Sequence, residues 1–525
     1  MNIELKKIDD NLIRHNVYFK AIIIVVIIAF TNELSSIIVN SSIRKIAFIT
    51  FSFGSIIVIL FTLLKPKIGI LAFMATFLLL PKIGSVLYLP GIRNISIANI
   101  IILILSFSLA VNGIFLKKFR IYYNRQKPDN LLLIYILYFL VCSLYGQVVL
   151  GYSGGSIKSQ IAMFGMQFIP IVIIHFVVSC IDDFDLLEKC FKFMIISSIV
   201  PSVIAYLDLN EVEIIRYLLK RFYWPSNWDF FQSYGYNYTY RSSSLFGTSP
   251  NLAGFLIANL AIASFSIYIF SDKTIKKNFW LIIYSINIVG VITTGSKTNF
   301  LLLIFATSLI LLFSQYFKGA YRKRNIIILK HILYFILITI VCFYVVKILI
   351  DYKVLPYFPA QRIGFTGDFA NWQTGGGGKL LQLKEGIRYT TAIGNFNYLF
   401  GIGFMSVTGF INDIGHIVWY ARGGIFGLIF YGLIALFTLN IAIKTSKKCK
   451  ELRLKTELQS IPITLMTFTV FRFFANFGGV YNDNEYITYY YWVLVGLCLA
   501  QQRIIELKKG EFRKSYENNM DYKLI

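Results

Sequence analysis

Charge is scarce in this sequence. Of its 525 residues only 15% are Asp, Glu, Lys or Arg, against about 25% in soluble domains, while 57% are hydrophobic and 17% aromatic. The shortage excludes the three or four soluble domains that length alone would suggest, and with them folds built on sheets with wet surfaces. Acidic residues are scarcer still, 26 against 51 Lys+Arg, for a formal net charge of +25. Nucleic-acid binding does not explain that excess, because a helix dissolved in lipid cannot present a basic face to a duplex. Histidine occurs four times and cysteine six times, with no CxxC spacing, so neither a metal centre nor redox chemistry is expected. No internal repeat relates the two halves, which argues against an inverted-repeat transporter. No small-residue cleavage site follows the first apolar run, which therefore reads as a retained helix.

Long apolar runs are what the sequence has in abundance. They fall near 18–38, 46–64, 68–81, 96–115, 131–149, 161–180, 191–207, 250–270, 279–294, 298–317, 326–350, 423–443, 460–476 and 487–501. This pattern predicts an all-α, polytopic helical bundle of about 12–14 transmembrane helices, three of the runs being short for a bilayer core of about 30 Å. Alternating the connections puts about 33 basic residues on one side and about 16 on the other, which makes the richer side cytoplasmic and places both termini there. The cytoplasmic clusters are Lys117, Lys118, Arg120, Arg125 and Lys127, then Lys318 with Arg322 to Arg324, then Lys444 to Lys455, then a basic tail over 502–525. Orientation and contact with anionic lipid are their plainest roles. In this topology all six cysteines lie in spans or on the cytoplasmic side, so no exterior disulfide is expected.

The chain thus reads as one integral membrane domain over 1–525 with two long exterior loops, near 208–249 and 351–422. Loops of that length usually have a function, which points to an enzyme whose site faces the exterior. The first loop holds an apolar-basic stretch from Glu213 to Arg221. There Ile214, Ile215, Leu218 and Leu219 share one helical face and Arg216 and Lys220 another, a pattern suited to the headgroup plane. An aromatic run from Phe222 to Tyr240 follows, its residues either membrane-interface anchors or stacking surfaces for sugar rings. Arg241 then precedes Pro250 and Asn251, which carry a helix-start signal, and a helix beginning there would aim backbone N–H groups at an anion beside Arg241. The outward turn Thr293-Thr-Gly-Ser-Lys-Thr-Asn299 lies between apolar runs, where a cationic turn is costly unless it faces water or an anion; Lys297 is a candidate phosphate contact.

In the second loop the glycine run Gly375 to Gly378 is a hinge and not a phosphate loop, since Gln373 replaces the first glycine of that motif and Leu380 follows Lys379. Lys384 and Arg388, four apart on a helical pattern, share a face suited to a pyrophosphate clamp or simply to solvation. His416 is the one histidine expected outside, and its imidazole can take a proton from a sugar hydroxyl or donate a hydrogen bond to phosphate. Two cations fall within spans. Lys347 is near an end and can snorkel, whereas Arg472 is deeper and is expected to face a cavity, a partner or substrate.

Taken in order, Arg241 with Pro250-Asn251, the Thr-Gly-Ser-Lys turn, Arg388 before Gly401-Ile-Gly403, and His416 before Gly423-Gly-Ile-Phe-Gly-Leu resemble the O-antigen polymerase and O-antigen ligase superfamily. The resemblance covers roughly residues 190 to 500 and rests on the order and placement of short motifs. It implies an integral-membrane glycosyltransferase of the bacterial cytoplasmic (inner) membrane, acting at the outer face on a glycan carried by undecaprenyl diphosphate. No nucleotide sugar, cofactor or metal is implied. It further implies catalytic roles for Arg241, Arg388 and His416, and diphosphate or substrate contacts at Lys297, Lys384, Asn251 and Arg472. Lys297 stands where many members have Arg. Ile417 stands where ligases commonly have Asn, which tilts the resemblance toward a polymerase of O-antigen, capsular or exopolysaccharide. Glu385, Asp413 and Asp368 are alternative carboxylate bases. The expected partners are the lipid-linked glycan and membrane lipids, with a chain-length regulator and a flippase as candidates. A ligase acting on lipid A-core and a non-enzymatic flippase stay open as alternatives.

Overall fold

The computed structural model describes residues 66–79, 127–148, 157–219, 242, 244–246, 250–271, 274–318, 384, 387–388, 397–401, 403, 415–452, 456–476 and 485–521. Among the described residues the fold is helical, without strands. In chain order the helices are α1 (Pro66–Thr76), α2 (Lys127–Val148), α3 (Ile157–Cys180), α4 (Phe184–Ile196), α5 (Ile199–Leu209), α6 (Glu213–Leu218), α7 (Pro250–Phe270), α8 (Thr274–Thr293), α9 (Lys297–Lys318), α10 (Asn397–Phe400), α11 (Gly415–Glu451), α12 (Ser460–Ala475) and α13 (Glu485–Asp521).

Among the described residues five stretches are long and apolar enough to cross a membrane: Phe184–Leu209, Leu252–Phe270, Thr274–Thr293, Gly415–Glu451 and Glu457–Ala475. A bilayer core needs about 20 helical residues, so the chain reads as a helical membrane protein. The expected spans 18–38, 46–64, 96–115 and 326–350 lie outside the described residues. The others each meet a described helix, that at 250–270 with the same bounds and the rest with shifted ends. The span expected at 191–207 starts at Phe184, because Asp183 caps it and its side chain accepts from the Leu186 amide at 2.6 Å. Burial opposes ionisation of that carboxyl, but the Leu186 amide and Lys67 outweigh it and hold Asp183 below the usual carboxylate range. The span expected at 487–501 continues as helix to Asp521, since Gln, Glu, Lys and Arg are good helix formers beyond the apolar stretch.

Lipid explains a burial pattern that water would not. On α2, Ile134, Leu137, Val141 and Leu144 are exposed, while Leu132, Tyr135, Ile136, Phe139 and Cys142 point inward. An apolar row spaced by three and four residues is the outer face of a helix packed on one side and solvated by hydrocarbon on the other. The centre of the bundle is α7, enclosed at Ala253, Phe255 to Ala258 and Leu260 to Ala263. Its Ala, Gly and Ser residues allow the close approach on which membrane helix packing depends.

Buried polar groups in this core are bonded across helices. Asn287 of α8 accepts from Ser202 Oγ of α5 at 2.7 Å and donates to Ser198 Oγ at 2.8 Å and to Ser264 Oγ of α7 at 3.4 Å. Beside it a Cβ on Gly290 would stand 2.8 Å from Ser202. Replacing Asn287 by Ala is expected to cost about 1–2 kcal/mol, the upper range for interhelical hydrogen bonds in membranes, measured as a lowered unfolding midpoint of the purified protein in mild detergent.

Several ionic contacts lie at one end of the bundle. Glu457, in the 3-10 turn Thr456–Gln459, binds Lys192 of α4 at 2.8 Å and Lys276 of α8 at 3.3 Å, and Gln501 of α13 donates to Leu458 O at 2.9 Å. The opposite end carries the start of α7, the α8–α9 turn, the start of α11 and the close of α12, and with them Asn251, Lys297, His416 and Arg472 of the expected site residues.

Candidate functional site

The Thr293–Asn299 turn is built from its own polar groups. Thr293 and Thr294 hydroxyls donate to Gly290 O and Val291 O, both at 2.7 Å. Gly295 takes φ 61, a left-handed helix cap, and Asn299 Nδ2 donates to Ser296 Oγ at 2.9 Å as α9 begins. Thr293, Thr294, Ser296 and Asn299 are all buried. The expectation of a turn facing water or an anion rests on the Lys297 side chain, which lies outside the described residues. The turn is seated against α7, where a Cβ on Gly254 would come within 2.6 Å of Thr294 Oγ1 and 3.1 Å of Asn299 Nδ2. The starts of α7 and α9 consequently abut, with Asn251 and Lys297 in their first turns; those two side chains lie outside the described residues.

α12 joins this pair through Phe255 of α7, whose ring stacks on Phe471 at 4.9 Å. Next to it, Arg472 is only 9% exposed, with its guanidinium 4.4 Å from the centroid of Tyr491 on α13. Tyr491 in turn donates to Thr438 Oγ1 at 2.8 Å. Arg472 is thus held at the end of α12 by an aromatic face, a geometry that suits the planar guanidinium.

The close of α12 is also where His416 sits. The expectation placed His416 in a loop running to residue 422, whereas the structure puts it in the first turn of α11, which begins at Gly415. Gly415 N donates to Asn476 O at 2.7 Å, and His416 Nε2 lies 3.0 Å from Phe473 O. Both contacts satisfy carbonyls that the helix leaves without internal donors. Asn476, fully buried, donates from Nδ2 to Arg472 O at 3.0 Å and to Tyr431 OH at 2.6 Å. His416, Arg472 and Asn476 therefore share one frame.

Glycines fix how the chain reaches it. α11 breaks at Gly424, with φ 60 and ψ −158, and the freed carbonyl of Gly423 accepts from Tyr138 OH of α2 at 2.6 Å. Across this break runs the Gly-Ile-Gly segment. Gly401, at φ 67, lies 2.5 Å by its would-be Cβ from the Arg422 carbonyl carbon, and Gly403 N donates to Arg422 O at 3.0 Å. The motif is a crossing of backbones too close for side chains.

Comparison with known protein families and with curated proteins finds no match. Lys384 and Arg388 are exposed and four residues apart in helical conformation. Arg241, together with Glu385, Asp368 and Asp413, lies outside the described residues. Its neighbour Ser242 is buried and donates to the enclosed carboxylate of Asp208 at 2.6 Å, so the close of the first long loop is tied to its beginning. Arg216, expected to share a helical face with Lys220 in the headgroup plane, turns back to Glu211 at 3.0 Å and to within 4.0 Å of Asp208. Sequence reasoning missed Asn476, Tyr431, Tyr138 and Asp208. A lone carboxylate closing an apolar run was a usable signal for Asp208, because buried charge needs partners; the other three carried no sequence signal. Among the described residues no three potential metal ligands come together.

Proposed function

We propose that this protein is a membrane glycosyltransferase that polymerises undecaprenyl-diphosphate-linked repeat units into a surface polysaccharide at the outer face of the bacterial cytoplasmic membrane. The observation that carries the reading is the shared frame: a histidine and a buried arginine held at the close of α12, packed through Phe255 against the helix whose start abuts α9. In the reaction an acceptor hydroxyl attacks the anomeric carbon of the lipid-linked sugar, and undecaprenyl diphosphate leaves with the bonding pair. The chemical demand is stabilisation of charge on that leaving group, which preorganised cations and helix starts supply. Arg241, Lys297, Arg388, Lys384 and Arg472 are assigned to the diphosphate, Asn251 to the substrate and His416 to the acceptor proton.

Topology belongs to the same proposal. The end with the Glu457 ion pairs and the Lys444 to Lys455 cluster faces the cytoplasm, and the His416 end faces outward. A cysteine placed at exposed Glu213 is expected to react with an impermeant maleimide in intact spheroplasts, and one at exposed Lys447 only after permeabilisation. The reverse pattern would put the frame on the wrong side for this chemistry.

Deleting the gene and resolving the surface glycan on a gel tests the activity. Single repeat units on the normal anchor are expected. Long chains accumulating on the carrier with none on the anchor would indicate a ligase, and loss of all glycan a flippase.

A further inference from the structure

We infer that His416 takes the acceptor proton on Nδ1, with Asn476 as the positioning residue that fixes this orientation; the inference rests on the glycosyltransferase reading above. A backbone carbonyl only accepts, so the ring nitrogen 3.0 Å from Phe473 O, Nε2, carries a proton. A neutral imidazole has a single N–H, and its lone pair is then on Nδ1. The ring is packed as well as bonded. Its centroid lies 5.0 Å from that of Phe473 and 5.7 Å from that of Tyr431. Asn476 closes the frame from both directions: its carbonyl accepts from Gly415 N, the residue before His416, and its Nδ2 donates to Tyr431 OH and to Arg472 O.

The arrangement follows the logic of a base whose far nitrogen is oriented by an acceptor, with a backbone carbonyl in the carboxylate's place. The Asn476 side chain that holds the hydroxyl of Tyr431, the ring beside His416, also holds the backbone carbonyl of Arg472. In the step itself the acceptor O–H bond breaks and its proton goes to Nδ1. The acceptor oxygen bonds to the anomeric carbon, and the bond from that carbon to the diphosphate oxygen breaks with its electron pair passing to the diphosphate. The imidazolium then returns its proton to water.

Nitrogen chemical shifts of the full-length protein, labelled with 15N-histidine and held in lipid nanodiscs, read the tautomer without any turnover. Subtracting the spectrum of His416→Gln identifies the signal among the four histidines. Protonated Nε2 and unprotonated Nδ1 are expected near neutral pH; protonated Nδ1 would overturn the assignment. In extension assays His416→Gln, whose amide can still reach Phe473 O, is expected to lose about 100-fold in kcat, in the range for removing a general base. Asn476→Ala is expected to lose about 10-fold in kcat with little change in KM for the lipid-linked donor. Should Asn476→Ala fail to fold, Tyr431→Phe removes only the hydroxyl that Asn476 grips and is expected to raise the share of the other tautomer, which a purely structural link would leave unmoved. Unchanged kcat in His416→Gln would refute the base role while leaving the tautomer result intact. A wild-type protein that extends no lipid-linked glycan would refute the functional reading, and the base role with it, whatever the tautomer.

Discussion

Replacing Arg472 by methionine is expected to cut chain extension by about 100-fold or more, the usual consequence of removing one preorganised group that stabilises developing charge. The expectation rests on placement. Arg472 is 9% exposed at the close of α12, its guanidinium 4.4 Å from the Tyr491 centroid, and its carbonyl belongs to the frame that holds His416. Methionine keeps the unbranched bulk and removes the charge, so packing against Tyr491 survives. Stability is expected to change little or rise, because exchanging a buried charge for an apolar side chain is often neutral or favourable. Arg472→Lys keeps the charge and loses the planar fork, and an intermediate rate is expected. Extension assays paired with thermal unfolding separate the effects: normal extension in the methionine variant would remove Arg472 from the site, and a collapse in stability would make its role structural.

The second large effect is on folding. Gly424→Ala is expected to destabilise the protein by about 3 kcal/mol or more, since φ 60 with ψ −158 is a region essentially reserved for glycine. A Cβ there would stand 2.2 Å from Leu399 O. The backbone of α10 has nowhere to retreat, because Tyr138 OH also reaches Leu399 O at 3.3 Å. Gly432, eight residues along the same helix, is the control. Among the described residues nothing lies within 4 Å of its would-be Cβ, so Gly432→Ala is expected to be neutral or to stabilise by about 0.5–1 kcal/mol through helix propensity. Unfolding midpoints in detergent compare the two, and equal midpoints would refute the strained crossing at Gly424.

These two positions illustrate what the amino-acid order makes legible. Apolar run length located the described spans, because the bilayer demands an uninterrupted run and little else: the run at 250–270 is a helix of the same bounds, and that at 460–476 ends one residue earlier. Arg472 stood out for the same reason, a charge in an apolar run. The ends were less legible, since beyond the lipid ordinary helix propensity takes over, as in α13 beyond residue 501. His416 read as a loop residue because Gly423-Gly424 looks like a helix boundary. The chain instead makes a short helix, breaks at Gly424 and starts again. The Asn287 hub was invisible, because Ser and Asn in an apolar run reveal neither face nor partner. Asn476 was equally hidden: its role comes from a helix end meeting a helix start, a contact between distant parts of the chain.

In the proposed function this end of the bundle links sugars by expelling a lipid diphosphate. Its most direct test is purified protein in proteoliposomes supplied only with undecaprenyl-diphosphate-linked repeat units, with glycan length and free undecaprenyl diphosphate followed together. A growing ladder is expected, with one undecaprenyl diphosphate released per new linkage, and both signals are expected to be lost in Arg472→Met. An unconsumed donor, or a ladder that still grows when Arg241, Lys297, Arg388 and Arg472 are all neutralised, would contradict it.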